Sequence, residues 1–197
     1  MDTRSQTQEL IGRETEQAAL LAALERARGG QGQLLLLGGE AGIGKTRLVD
    51  STLLALDSPA LRGPSREARL TAPYAPLATA LRAHLAAVPG ALDHLPGREH
   101  LALLLPELGL SLPQGGGTPA AFQEALLGAL TGLTTAGPCV LVLEDLHWAD
   151  HATLALLPAL ADTLATVPLL VIGTYRREDL PRLHPLRRVR QELRRAG

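Results

Sequence analysis

The chain has 197 residues, of which 46% are hydrophobic and 20% are charged, so we expect one globular domain with a substantial core. Its net charge of −1 argues against a nucleic-acid-binding surface that covers the whole domain. Cys139 is the only cysteine, which excludes an intramolecular disulfide and favours a reducing cytoplasm. No uninterrupted apolar run is long enough to span a membrane.

Helical and extended patterns alternate along the chain. Apolar residues at helical spacing predict helices over about 14–28, 45–56, 76–88, 98–105, 119–135 and 151–165. On these helices we expect Leu56, Val88 and Phe122 to lie on the apolar faces, and we expect the second helix to end at Asp57, Ser58 and Pro59. Short continuous apolar runs, typical of parallel strands covered on both faces, predict strands over 33–37, 60–62, 139–143 and 169–174. This alternation indicates a parallel α/β sandwich with right-handed crossovers, and we find no internal repeats.

Several single residues refine these predictions. Thr118 precedes Pro119 and is expected to cap the helix that follows, and Asp150 is expected to cap the next one. Pro158 lies inside that second helix, where it should cost about 3 kcal/mol or bend the helix. Cys139 begins a predicted strand, where we interpret it as a small buried hydrophobic residue.

A glycine-rich loop follows the first predicted strand. Residues 39–46 read Gly-Glu-Ala-Gly-Ile-Gly-Lys-Thr and fit the phosphate-loop pattern G-x-x-x-x-G-K-[ST]. Glycines let backbone N–H groups turn toward phosphate oxygens, and the helix that follows directs its positive end at the same anion. Lys45 can supply a full charge to the phosphates, and the Thr46 hydroxyl can ligate Mg²⁺.

Lys45 is the only lysine, since the other basic residues are all arginines. A chain that otherwise uses arginine therefore has its one compact ammonium where phosphates would lie. The predicted nucleotide-binding residues of this segment are Gly39, Glu40, Ala41, Gly42, Ile43, Gly44, Lys45, Thr46 and Arg47. The alternative, a tight turn in an unrelated α/β protein, is the weaker interpretation.

Two acids, Glu144 and Asp145, end the third predicted strand. In open α/β sheets, ligands bind beyond the carboxyl ends of the strands, where the glycine-rich loop also lies. One carboxylate there can hold Mg²⁺, usually through water, and another can orient an attacking water. Two acids after an apolar strand can equally form a solvated turn, but their position after a phosphate loop favours a site.

The two long motifs together resemble the STAND-type ATPases. Residues 39–49 and 143–150 are similar to the AAA-like ATPase module of large LuxR-family (MalT-like) transcriptional regulators. Shorter matches lie at residues 11–14, 73–77, 172–176 and 184–186. The resemblance implies a three-layer P-loop NTPase fold with a mostly parallel sheet and the core strand order 5-1-4-3-2. It also implies ATP or ADP and Mg²⁺ as cofactors.

The resemblance also implies roles for single residues. Glu144 stands where the family usually has the Asp that holds Mg²⁺, and Asp145 stands where an acid polarises water. The longer acid comes first here, which departs from the family and predicts slow hydrolysis. Arg176 would be a sensor of the γ-phosphate, or else a surface arginine. Gly12 and Arg13 would lie near the adenine or phosphates, or else begin a solvated helix.

By this resemblance, residues 1–9 form a flexible N-terminus, 10–186 an ATPase domain, and 187–197 an arginine-rich terminal helix or linker. The fifth strand, the lid and the C-terminal domains of the family would lie beyond the chain, so we expect a piece of a larger protein or a truncated gene product. The free side of the first strand would favour self-association or contact with those other domains.

Three functions remain open. The first is an ATP- and Mg²⁺-binding switch with weak hydrolysis, acting in signal transduction or transcription control. The second is a module that binds nucleotide without turnover. The third is nucleic-acid binding through the arginines of residues 176–195, which we do not expect because a linker or solvated helix face explains them better.

Overall fold

The computed structural model describes residues 12–55, 58, 60–67, 72–113 and 115–196. Within these ranges, four strands form one sheet: β1 Gln33–Gly39, β2 Ala60–Pro64, β3 Cys139–Glu144 and β4 Leu169–Arg176. Their order is β1-β4-β3-β2, and every pair of neighbours is parallel. This is the predicted order for these four strands. The predictions made for residues 1–11, for Leu56 and for the helix stop at Asp57 and Pro59 lie outside the described residues.

Six α-helices belong to the described part of the chain: α1 Glu14–Arg28, α2 Lys45–Ala55, α3 Ala75–Ala87, α4 Pro119–Gly132, α5 His151–Leu164 and α6 Pro185–Ala196. Helices α1 and α2 pack on one face of the sheet, and α3, α4, α5 and α6 contribute to the core on the other face. The predicted three-layer α/β fold is therefore confirmed. No helix of the described residues is long and apolar enough to cross a membrane.

The middle strands bury both of their faces. On β3, Leu141 and Leu143 pack into the core under α3, α4 and α5, whereas Val140 and Val142 pack against α1 and α2. Successive side chains of a strand point to opposite faces, so a strand covered on both sides must be apolar at every position. This explains why the sequence shows an unbroken apolar run here. β1 is an edge strand, and all of its residues are half-buried.

Both predicted helix caps are confirmed. The Thr118 hydroxyl accepts a hydrogen bond from the Ala121 amide, and the Asp150 carboxylate accepts one from the Thr153 amide at 2.8 Å. Helix α5 continues through Pro158 to Leu164 without ending. Its buried leucines lie on both sides of this proline and hold the helix against the sheet, so tertiary packing outweighs the local penalty.

Four predictions about boundaries and burial were wrong. The segment expected to be helical from 98 to 105 forms a short 3₁₀ helix, Arg98–Leu101, followed by turns, and Leu105 has the non-helical backbone that Pro106 favours in the residue before it. Helix α4 ends at Gly132 rather than near 135. Val88, expected on the buried face of α3, is 44% exposed because it caps the end of the helix. Phe122 is half-buried, tilted against the Tyr74 ring at 5.1 Å.

Strands β1 and β4 each extend two residues beyond their predicted ends. The parallel ladder between them continues through the pairs Gly38↔Tyr175 and Gly39↔Arg176. Gly38 is required here, because a Cβ atom at this position would lie 2.2 Å from the Tyr175 ring. Cys139 is half-buried, and its burial raises the pKa of the thiol to about 11, in keeping with an unreactive side chain.

Candidate functional site

The candidate residues converge on one edge of the sheet. The glycine-rich loop follows β1. Glu144 is the last residue of β3 and Asp145 comes directly after it, and Arg176 is the last residue of β4. Parallel strands place their carboxyl ends on the same side, and the ladder places Arg176 directly beside Gly39. The fold thus brings together three sequence segments that are far apart along the chain.

The glycine-rich loop is shaped by its glycines and closed by its lysine. Gly42 and Gly44 have φ angles of 72° and 88°, which side chains rarely tolerate. Lys45 is 8% exposed, and its Nζ donates hydrogen bonds to the carbonyl oxygens of Gly39 at 3.0 Å and Glu40 at 2.8 Å. Burial lowers the pKa of Lys45, while the carboxylates of Glu178 and Asp145 act in the opposite direction. Lys45 therefore lies within the electrostatic reach of both acids.

The remaining loop positions are open to solvent. Helix α2 begins at Lys45, so the unpaired N–H groups of its first turn face the loop. Thr46 and Arg47, in that first turn, are both exposed. Ile43, in the loop itself, is 45% exposed. The Thr46 hydroxyl is thus accessible to a ligand that approaches the helix start.

Asp145 adopts an unusual backbone conformation at the end of β3. Its φ of 53° and ψ of 48° lie in the left-handed region, and its amide donates to the Thr174 hydroxyl at 3.2 Å. Its carboxylate is 41% exposed and lies 4.0 Å from Nε of Arg176. A non-glycine residue held in this conformation is typical of a functional site. Asp145 and Arg176 therefore face the glycine-rich loop side of the edge.

Glu144 is placed differently from its neighbour. Its carboxylate pairs with Nη1 of Arg62 on β2 at 2.6 Å, and the same guanidinium also bonds to Asp50 on α2. The Glu144 side chain is 24% exposed. Its role as a magnesium ligand stays a prediction, and that role requires Glu144 to share or release Arg62.

Arg13 joins the start of α1 to the glycine-rich loop. One guanidinium nitrogen of Arg13 donates to the Ile43 carbonyl at 3.1 Å, and another pairs with Glu16 at 3.3 Å. Gly12 has a φ of 79°, and its amide donates to the Glu14 carboxylate within the start of α1. A nucleotide contact by either residue stays a prediction.

Sequence reasoning did not assign chemistry to His147. Its side chain is fully buried, Nδ1 accepts a hydrogen bond from the Arg176 amide at 3.2 Å, and Nε2 lies 3.4 Å from the Asp179 carboxylate. Burial lowers the pKa of His147, and neighbouring Asp145 and Asp179 act in the opposite direction. The imidazole thus holds the end of β4 in place beneath the site. The only signal in the sequence was its place beside the two acids.

Glu178 was also missed. Its carboxylate accepts a hydrogen bond from the Ala41 amide of the glycine-rich loop at 2.6 Å, across 137 residues of sequence. The bonds from its own amide and from the Ala41 amide lower the pKa of Glu178, and Lys45 and Arg176 act in the same direction. An exposed acid after a strand carries no distinctive pattern, so only the folded chain reveals this contact.

The described residues contain no cluster of three or more histidine, cysteine or acidic side chains suited to hold a metal ion by themselves. Mg²⁺ in a nucleotide site keeps several waters and takes its other ligands from phosphates and one or two protein oxygens. Thr46 and Glu144 are the protein residues predicted for that role.

Comparison with known proteins agrees with the geometry. Residues 9–172 match the AAA ATPase domain family, a range that includes the glycine-rich loop and both acids and ends before Arg176. An uncharacterized protein of Rhizobium meliloti (strain 1021) is 28% identical over an alignment 191 residues long. The alignment covers 85% of this chain. The chain spans 18% of the length of that relative. The family match covers most of the sheet and the loop that binds phosphates in P-loop NTPases, and the chain belongs to the AAA ATPase domain family.

Proposed function

We propose that this chain is an ATP- and Mg²⁺-binding switch module that hydrolyses ATP slowly. The observation that carries the proposal is the convergence of a complete glycine-rich loop with Asp145 and Arg176 at one sheet edge. The loop offers backbone amides and Lys45 to phosphates, which is the arrangement that P-loop NTPases use. Arg176, beside Gly39 in the ladder, would contact the terminal phosphate.

The residues present fit a magnesium nucleotide. The Glu178 carboxylate, hydrogen-bonded to the Ala41 amide, serves as a stand-in for a phosphate oxygen and supports the view that this loop accepts an oxyanion. Magnesium would be held by the exposed Thr46 hydroxyl and, directly or through water, by Glu144 or Asp145. Bound Mg²⁺ would neutralise negative charge on the phosphates.

Slow hydrolysis is supported by the surroundings of the two acids. Glu144 is engaged by Arg62 at 2.6 Å, and the shorter Asp145 lies close to Arg176 and His147. Both carboxylates are thus engaged by neighbouring side chains, and neither is free to orient an attacking water. We therefore expect turnover well below about 10 s⁻¹, the median for enzymes.

The regulatory setting of the module is proposed from resemblance. The paired motifs at residues 39–49 and 143–150 are similar to those of LuxR-family regulators of the STAND type. The much greater length of the Rhizobium meliloti relative is compatible with a module inside a multidomain protein. Association with further domains, or with a second copy through the edge strand β1, would suit such a switch.

Binding without turnover is the second candidate, and the ion pair between Glu144 and Arg62 favours it. Direct nucleic-acid binding by α6 is less well supported, because three of its arginines make contacts within the fold. Arg187 donates to the Leu180 carbonyl at 2.7 Å, and Arg190 lies over the Tyr175 ring at 4.9 Å. Arg188 pairs with Glu192 at 2.8 Å.

The proposal is tested by phosphate release from the purified chain with MgATP. We expect slow release that is lost in Lys45→Ala and in Asp145→Ala and is kept in Arg188→Ala, a change on the exposed surface of α6. A parallel thermal-shift titration with ATP, ADP and GTP identifies the preferred base. Equal background release from all four proteins, together with a nucleotide-dependent shift, would leave the binding-only function. Absence of any shift would refute both functions.

A further inference from the structure

Glu178 places a negative charge inside the loop that is built to receive phosphates. Its carboxylate accepts a hydrogen bond from the Ala41 amide at 2.6 Å, although Glu178 is an exposed residue. The backbone amides of such a loop are the groups that bind phosphate oxygens. One of them is therefore already bound to an oxyanion supplied by the chain itself.

The strand register determines this contact. The pairing of β1 with β4 ends at Gly39↔Arg176, and the Arg177 amide continues toward the Gly39 carbonyl at 3.4 Å. The next residue along, Glu178, then reaches the second residue beyond Gly39, which is Ala41. The contact thus follows from the end of the parallel ladder rather than from a long, adaptable loop.

The charges around Glu178 identify the phosphate that it would oppose. Glu178 interacts electrostatically with both Lys45 and Arg176. The lysine of a phosphate loop reaches the β- and γ-phosphates, so the carboxylate lies near the outer end of the phosphate chain rather than near the sugar. A terminal phosphate that enters this space would meet a carboxylate that already accepts from the Ala41 amide and attracts the same two cations.

We infer that Glu178 is a specificity-determining residue that competes with the terminal phosphate for the Ala41 amide and so disfavours ATP relative to ADP. The inference deepens the proposed function, on which it rests for the identity of the ligand. ADP, which is shorter by one phosphate, leaves the contact between Glu178 and Ala41 in place. ATP must displace the carboxylate toward solvent, where it is free to move because the residue is exposed.

Calorimetric titration of the full chain tests this inference. The ligands are MgATP, MgADP, inorganic tripolyphosphate and inorganic pyrophosphate, and the variants are Glu178→Gln and Glu178→Ala. Glu124→Gln, a change of an exposed acid on α4, is the matched control for loss of one negative charge. Glu178→Ala is needed because a glutamine oxygen can still accept from the Ala41 amide.

We expect Glu178→Ala to tighten ATP on the order of 10-fold more than ADP, as for loss of a charge-assisted hydrogen bond, and Glu178→Gln to change the preference in the same direction by a smaller factor. Tripolyphosphate should follow ATP, pyrophosphate should follow ADP, and the control should match the wild type. Equal tightening of all ligands would show a general relief of charge repulsion, and weaker ATP binding in both variants would show that Glu178 braces the loop. Either result would overturn the inference.

The two proposals can fail separately. The wild type could bind neither ATP nor ADP while the Glu178 variants bind tripolyphosphate more tightly than the wild type does. That result would refute the nucleotide function and support competition between Glu178 and a phosphate. Nucleotide binding with an unchanged preference for ATP over ADP in both variants would retain the function and refute the inference. Absence of binding of all four ligands to every variant would refute both.

Discussion

Strands β3 and β4 differ sharply between their middle and their carboxyl ends. Leu141 and Val171, in the middle, are fully buried, whereas Asp145 and Arg176 at the edge have side chains that are 41% and 40% exposed. The middle obtains stability from apolar burial. The edge holds charges and a left-handed backbone at Asp145, features that do not bury apolar surface and that the proposed function assigns to ligand binding. Stability and binding should therefore respond to different substitutions.

Leu141→Ala should have the largest effect on stability. Leu141 is 0% exposed and packs under α3, α4 and α5, so its truncation should lower the free energy of unfolding by about 2–5 kcal/mol. Urea denaturation followed by circular dichroism measures this loss. Leu103→Ala, at a position that is 78% exposed, should change stability by less than about 0.5 kcal/mol. Similar losses in both variants would contradict the assignment of the core.

Lys45→Ala should remove ligand stabilisation and leave the fold nearly intact. A nucleotide at 100 times its Kd adds about 2.7 kcal/mol to the free energy of unfolding, and this gain should vanish in the variant. Without nucleotide, the variant loses the hydrogen bonds from Nζ to the carbonyls of Gly39 and Glu40, so its free energy of unfolding should fall by about 1.5–3 kcal/mol, the usual range for bonds made by a charged group. Arg188→Ala should retain the full gain, because its side chain is 86% exposed on α6. If nucleotide stabilised Lys45→Ala as much as the wild type, the glycine-rich loop would not be the nucleotide-binding site.

The two helix caps should contribute differently to the free energy of unfolding. Asp150 accepts hydrogen bonds from the amides of Thr153 and Tyr74 and from the Thr153 hydroxyl, whereas Thr118 accepts one from the Ala121 amide. Asp150→Ala should therefore lower the free energy of unfolding by about 2 kcal/mol, and Thr118→Ala by about 1 kcal/mol or less. Chemical denaturation of both variants gives the order. A larger loss for Thr118→Ala would show that the extra bonds of Asp150 do not add stability.

The smallest effect is a pH dependence from His147, which lies beneath the edge. Burial lowers its pKa, Asp145 and Asp179 partly oppose this, and Arg176 and Lys45 add to it. A histidine whose pKa is lower in the folded state binds its proton more readily when unfolded, so its contribution is present above about pH 6.5 and is lost as pH falls.

We therefore expect the free energy of unfolding to fall as pH decreases from about 6.5, with a slope of at most about 1.4 kcal/mol per pH unit from this group. His147→Gln should flatten that slope, and the exposed His151→Gln should leave it unchanged. Denaturation series at several pH values measure both slopes. An unchanged slope in His147→Gln would assign the effect to another group, of which the partly buried His84 is the first candidate, because burial lowers its pKa too.

Local patterns in the sequence predicted most of the fold. The apolar runs of β3 and β4, the glycines and lysine of residues 39–46, and the caps Thr118 and Asp150 act through neighbours a few residues away, so their consequences can be read without the tertiary structure. The predicted helix at 98–105 was wrong. That prediction relied on leucine spacing and gave too little weight to Pro106, which disfavours helical backbone at Leu105.

The amino-acid sequence by itself determined that this chain folds as a parallel α/β domain with a glycine-rich loop after its first strand, because periodicity and glycine content are properties of short segments. Only the tertiary structure decided which charged groups meet at that loop. Glu144 meets Arg62 across 82 residues and Glu178 meets Ala41 across 137, and both contacts depend on strand order and register. The predicted loop thereby gained a competing carboxylate that no pattern of neighbouring residues indicates.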